Sequence, residues 1–310
     1  MTTPPAEDKS VRPSPLCRPS GHGHVARRNK NALPSKLLLG LLLASPLASA
    51  DRDLAFSAMS LYKDYSGSVE KRSGLEHDLG LSRTFDRFSL GLGYQYATAD
   101  RFESPDLRVT KPSLTLGYAF GENINGSATY LRINDNLAPT DDGRIYSAAL
   151  HVRGLPGRLS THLGVHFSDY DFFDASQLDL ALGTSMSIQD MKLSIKAGVK
   201  YISLDRERNT KYIQNAESTY LAPEFGLRLG KNGYFGMLGI VGSRVFEVAD
   251  EGLKVSHHAT ELRRSYLLAL GKQTKSLDLQ LMLGHHLATE LPPAHDLHIN
   301  TLAVRMNYRF

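Results

Sequence analysis

His151 and His162 stand on either side of "GLPGR", residues 154–158. A hairpin folded about Pro156 pairs residues whose numbers sum to about 313, setting His151 against His162, Arg153 against Ser160 and Ser147 against His166. Two adjacent imidazoles repel once both are protonated, so the pair would loosen its hairpin below about pH 6.5. The plainer reading makes them ordinary polar residues of a wet surface, because a one-residue slip in register parts them. Two further runs, "VSHHATE" at 255–261 and "GHHLATELPPAHDLH" at 284–298, mix histidines with acids. Neither has metal-ligand spacing or the Ser/His/acid arrangement of a nucleophilic enzyme. Nucleotide-binding glycine motifs and calcium loops do not occur, and no cofactor is expected.

The elements that position these residues begin after a leader. Residues 1–31 are rich in Pro, Arg, Ser, Gly and His without apolar periodicity. "KLLLGLLLASPLASA" follows, with Lys36 before a short apolar run, Pro46 ending it, and Ala48, Ser49 and Ala50 as a small-residue cleavage motif. The run is too short for a membrane-spanning helix, which needs roughly 20 apolar residues. The expected organisation is therefore an extension and signal peptide over residues 1–50, cleaved after Ala50, and one domain over 51–310.

Cleavage changes the charge. Seven of the 36 basic residues but only two of the 32 acidic ones precede residue 51, leaving 29 against 30, or about −1 net. The basic character belongs to the leader, and no nucleic-acid partner is expected. The single cysteine, Cys17, leaves with it, so neither disulfides nor thiolate chemistry remain.

From Leu54 onward apolar residues recur at every second position. Clear runs are Phe88 to Tyr96, Leu114 to Phe120, Leu159 to Phe167, Leu193 to Tyr201, Leu277 to Leu283 and Leu302 to Phe310. The breaks alternate between tight turns ("TFDRF", "FGENI", "GLPGR", "IQDMK", "GKNGY", "GKQTKS") and loops of roughly ten to fifteen residues. Six turns and seven loops join about fourteen strands, within a range of twelve to sixteen. None of the loops is an obvious plug.

Period two does not say which face meets water, because a soluble sandwich buries the face that a membrane barrel turns to lipid. Four features favour the barrel. The runs are about ten residues long, a bilayer-crossing length for a tilted strand. Aromatics gather at both strand ends: Phe85, Phe88, Tyr118, Phe120, Phe235, Tyr308 and Phe310 by the turns, and Tyr96, Tyr130, Tyr146, Phe167, Tyr201 and Tyr220 by the loops. Turns and loops segregate by side. The alternate face is rich in Gly, Ser, Ala and charge.

A final strand "LAVRMNYRF" closed by Tyr308 and Phe310 resembles the C-terminal signature of Gram-negative integral outer-membrane β-barrel proteins. The resemblance covers 51–310 and implies an all-β, transmembrane, antiparallel up-and-down barrel. It implies outer-membrane lipid and lipopolysaccharide around the chain, and the barrel-assembly machinery reading Tyr308 and Phe310. With the apolar runs facing lipid, the pore-lining set would include His151, Arg153, His162, His166, Lys196, Lys200, Glu224, Arg228, Arg263, Asp278 and Arg305. Charges of both signs mix there, so no strong ion selectivity follows. The expected activity is passive passage of small hydrophilic solutes through a monomer. The other readings are an outer-membrane enzyme of the lipid A deacylase, phospholipase or protease type, and a barrel for polymer export or partner binding.

Overall fold

The computed structural model describes residues 54–136, 140–155, 159–205, 219–256, 260–291 and 295–310. The leader reading, with cleavage after Ala50, lies outside the described residues. Fourteen strands form the domain: β1 Leu54–Ser66, β2 Lys71–Phe85, β3 Phe88–Arg101, β4 Leu107–Ala119, β5 Ile124–Arg132, β6 Arg144–Leu155 and β7 Leu159–Tyr170. The second half is β8 Phe173–Ile188, β9 Met191–Asp205, β10 Thr219–Gly230, β11 Gly233–Arg244, β12 Thr260–Gln273, β13 Leu277–Glu290 and β14 His295–Arg309. Each strand pairs antiparallel with its neighbours in sequence. β1 also pairs with β14, from Ala55 opposite Arg309 to Ser66 opposite His298, and this closes the sheet into a barrel without edges.

The faces are those of a barrel in lipid. Leu92, Leu182, Leu270 and Val304 are each more than half exposed on the outside, whereas Glu76, Gln95, Lys111, Asp179 and Lys200 are buried on the inside. A soluble sandwich would show the reverse. Phe85, Phe88, Tyr118, Phe120, Tyr308 and Phe310 are exposed near the tight turns, and Tyr96, Tyr130, Tyr146, Phe167 and Tyr201 toward the other end. Tyr220 departs from the expected girdle: Leu221 takes the outer face, and Tyr220 is buried inside the barrel.

The strands run nine to sixteen residues, and several continue past the expected loop starts. β7 and β8 are joined by Asp171 and Phe172 alone, with Tyr170 still opposite Phe173. Loops of ten to fifteen residues were expected there. Polar composition signals contact with water, and a hairpin projecting beyond the apolar band keeps its hydrogen-bond ladder while wet.

The connection between β11 and β12 folds into the barrel, contrary to the expectation of no plug. Val248–Ala249 and Lys254–Val255 pair as a short hairpin around a 3-10 turn, Asp250–Gly252. Val245, Phe246, Val248 and Val255 join a buried apolar cluster with Val109, Leu131, Ile133, Ile145, Tyr170, Phe173, Ile202, Leu204 and Tyr220 from the inner wall. Phe246 packs its ring 4.5 Å from that of Phe173 and 5.5 Å from that of Tyr170. The segment thus carries its own small core, the term that offsets the entropy of ordering a loop.

Candidate functional site: the lumen and its inward segment

The inward segment is held by polar groups from strands around the barrel. Gln177 on β8 donates to the Val248 carbonyl at 2.7 Å and accepts from the Val248 amide at 2.9 Å. Lys111 on β4 donates to the Val255 carbonyl at 3.1 Å, and Gln95 on β3 to that of Leu253 at 2.6 Å. At its root, Arg244 donates to Glu247 at 2.5 Å, and Lys200 of β9 lies 3.7 Å from the same carboxylate. Lys254 lies 3.5 Å from Asp78 of β2.

The tip reaches the wall at β5, β6 and β7. His151 Nε2–H donates to Glu251 Oε1 at 2.6 Å, and Ser127 donates to Glu251 Oε2 at 2.6 Å. The hydrogen bond from His151 is the main reason that the Glu251 carboxyl falls from 4.5 to about 2, with Ser127 adding to it and burial working the other way. Asp250, Glu251 and Gly252 all adopt positive φ, at 49°, 57° and 93°. Gly252 is required twice over: its backbone is left-handed, and a Cβ there would overlap Ser147.

Cavities flank the segment. One of about 1100 Å³ is lined by His151, His162, Lys196, Glu224 and Arg228, together with Asp250 and Glu251. Another of about 420 Å³ runs from Tyr65 and Leu107 to Arg305, with Lys63, Lys71, Lys111 and Lys254 on its sides. A third, of about 330 Å³, lies near the tight turns between Ser57, Asp278 and Arg305. Asp250 borders the first two, and Arg305 the last two.

Most residues singled out in the sequence sit on this inner wall. His151 pairs with His162 and Ser147 with His166, in the register set by the hairpin. His166 is buried, sharing a 2.8 Å hydrogen bond with Ser147 and lying 3.4 Å from Asp179. Asp179 accepts from Lys200 at 2.8 Å, and Glu224 pairs with Lys196 at 2.7 Å. Arg228 stacks 3.7 Å above the Tyr234 ring, and the Tyr234 hydroxyl donates to Asp278 at 3.0 Å.

Two arginines behave differently. Arg153 falls in a bulge between Val152 and Leu155, so it does not pair with Ser160; it is exposed and lines the 1100 Å³ cavity near the turn. Arg263 was expected to line the pore. It lies in a second bulge, between Leu262 and Arg264, and pairs at 2.8 Å with the exposed Asp296 at the rim. A bulge adds one residue and so reverses the side-chain alternation locally.

The histidine run at 284–298 is divided by the same alternation. His286 points inward to Ser265 at 2.6 Å, while the exposed His285 shares a 2.8 Å hydrogen bond with Asn300. Ser265 is fully buried and also accepts from Arg244, so no substrate reaches that serine.

Gln177, Arg244, Glu247 and Glu251 were missed in the sequence. The available signal was on the inner face of the strands. Along β9 the inward positions pass from Lys196 and Lys200 to Ile202 and Leu204, a change from polar to apolar that calls for something to cover it.

The chain matches no protein-family model and no curated protein. Among solved structures it is similar to a bacterial polysaccharide outer membrane secretin, at 11% identity and a TM-score of 0.52, covering 84% of this chain and all of that one. It is similar also to the Pseudomonas putida toluene transporter TodX, at 7% identity and a TM-score of 0.50, covering 83% of this chain and 89% of that one. A TodX deltaS2S3 mutant described as a monoaromatic hydrocarbon channel gives a TM-score of 0.54 at 7% identity, covering 83% and 91%. The fold is that of the integral outer-membrane β-barrels: a closed antiparallel barrel of fourteen strands.

Proposed function

We propose that the chain is a passive channel for small hydrophilic solutes in the outer membrane of a Gram-negative bacterium. The carrying observation is a chain of three cavities with charged side chains in their walls, the first two both bordered by Asp250 of the inward segment and the last two by Arg305. An apolar outer band, closed strands and the channels and transporters among proteins of similar fold support the same reading. The segment acts as a constriction, so solutes pass between its charged edge and the wall. The barrel works as a monomer, surrounded by lipid and lipopolysaccharide, after the assembly machinery has read the strand that ends in Tyr308 and Phe310.

Planar-bilayer conductance of the purified chain tests this, beside a variant in which residues 246–255 are replaced by a short Gly-Ser link. Discrete openings that enlarge in the variant are expected. Silence from both forms, each folded by its heat-modifiable mobility in gels, would overturn the reading.

A further inference from the structure

His151 and His162 face each other across β6 and β7 with ring centroids 4.5 Å apart and the two Nδ1 atoms 3.4 Å apart. The Glu251 carboxylate accepts only, so the 2.6 Å contact to His151 Nε2 places the proton of that ring on Nε2. The His151 Nδ1 therefore carries a lone pair directed at His162. A hydrogen bond across 3.4 Å is long beside the usual 2.9 to 3.0 Å. Two zinc–nitrogen bonds of about 2.0 to 2.1 Å at a tetrahedral angle set their nitrogens about 3.3 Å apart, close to the spacing found.

A carboxylate on the far N–H of a histidine is the recurrent outer shell of metal-binding imidazoles, fixing tautomer and ring orientation. Glu251 holds that place from the tip of the inward segment, in a left-handed conformation costly for a residue with a side chain. Donor atoms of His151, His162 and Glu251 all lie within 4.8 Å of one another, and all three residues line the 1100 Å³ cavity, which gives an ion an entry path.

We propose that His151 and His162 form, through their Nδ1 atoms, a binding site for a zinc-class divalent cation, with Glu251 positioning His151. Nitrogen donors select zinc, nickel or copper over magnesium and calcium. The bound ion ties β6 to β7 and, through Glu251, fixes the tip of the inward segment to the wall. This inference stands whether or not the lumen conducts.

The test is calorimetric titration of zinc into the chain, expressed from its full sequence and purified in detergent, with magnesium as control. One saturable zinc site per chain and no magnesium binding are expected. His162→Ala, which leaves the Glu251 to His151 bond in place, should abolish that site. Glu251→Ala should weaken it tenfold or more with heat-modifiable mobility unchanged. Absence of saturable zinc binding, or equal zinc binding by wild type and His162→Ala, would overturn the proposal. Unchanged affinity in Glu251→Ala would overturn the positioning role of Glu251.

Discussion

Gln177 and Val248 meet as two strand residues would, although one partner is a side chain. The Gln177 amide makes both backbone hydrogen bonds of Val248, at 2.7 and 2.9 Å, with both residues buried. A wall side chain thereby finishes the ladder that a loop inside a lumen otherwise lacks. Gln177→Leu is near in size and makes neither bond. Leaving a buried amide and carbonyl unpaired costs about 1 to 3 kcal/mol each. Limited proteolysis should cut the 245–256 segment much faster in this variant, while the barrel keeps its heat-modifiable mobility. Equal cutting rates would show that the segment is held elsewhere.

Phe246 contributes the largest apolar side chain of the segment and is 2% exposed. Phe246→Ala should weaken docking by about 3 to 5 kcal/mol, the usual range for removing a buried phenyl ring. Bilayer recordings should then show larger or noisier openings than the wild type.

Glu247 is the shared counter-charge for Arg244, whose side chain is 2% exposed, and for Lys200. Glu247→Gln leaves a buried guanidinium short of its partner, a change that costs roughly 3 to 5 kcal/mol. A lower unfolding temperature, read by circular dichroism in detergent, is the expected outcome. Replacing Arg244 and Glu247 together by apolar residues should recover part of the loss.

Acid should not release the tip. The Glu251 carboxyl is lowered from 4.5 to about 2, so its contribution is complete above the unfolded value and is lost progressively as pH falls from there through about 2. Cleavage of the segment by a protease should stay flat from pH 8 to pH 5. Glu251→Gln loses the charged acceptor of the His151 and Ser127 hydrogen bonds and should speed cleavage across that range; an unchanged rate in that variant would remove Glu251 from the account.

Phe310 donates its amide to the Leu54 carbonyl at 3.0 Å, joining the last residue to the first strand. Phe310→Ala should reduce the heat-modifiable barrel recovered from outer membranes, with the chain accumulating before assembly. Undiminished recovery would separate this residue from assembly.

The sequence by itself determined what rests on local pattern. Period-two alternation marked the strands, turn chemistry marked their tight ends, and counting both reached fourteen. The His151 to His162 pairing was legible because a single hairpin sets it, with Pro156 between them in the chain. Bulges were beyond such counting, since nothing in the composition of 152–155 or 262–264 announces an extra residue; hence the misplaced Arg153 pairing and the displaced Arg263.

Only the tertiary structure decided the rest. In the closed barrel the apolar face is the outer one, with Leu182 and Leu270 exposed and Lys111 and Asp179 buried inside, an assignment that alternation alone leaves open. The inward turn at Arg244 brought Glu251 to His151 across 100 positions of chain, and Phe246 to Phe173 and Tyr170. The segment around Glu251 has the composition of an ordinary loop. Its place in the lumen depends on apolar residues of other strands, Ile145, Ile202 and Tyr220 among them, which form one surface only after the barrel has closed.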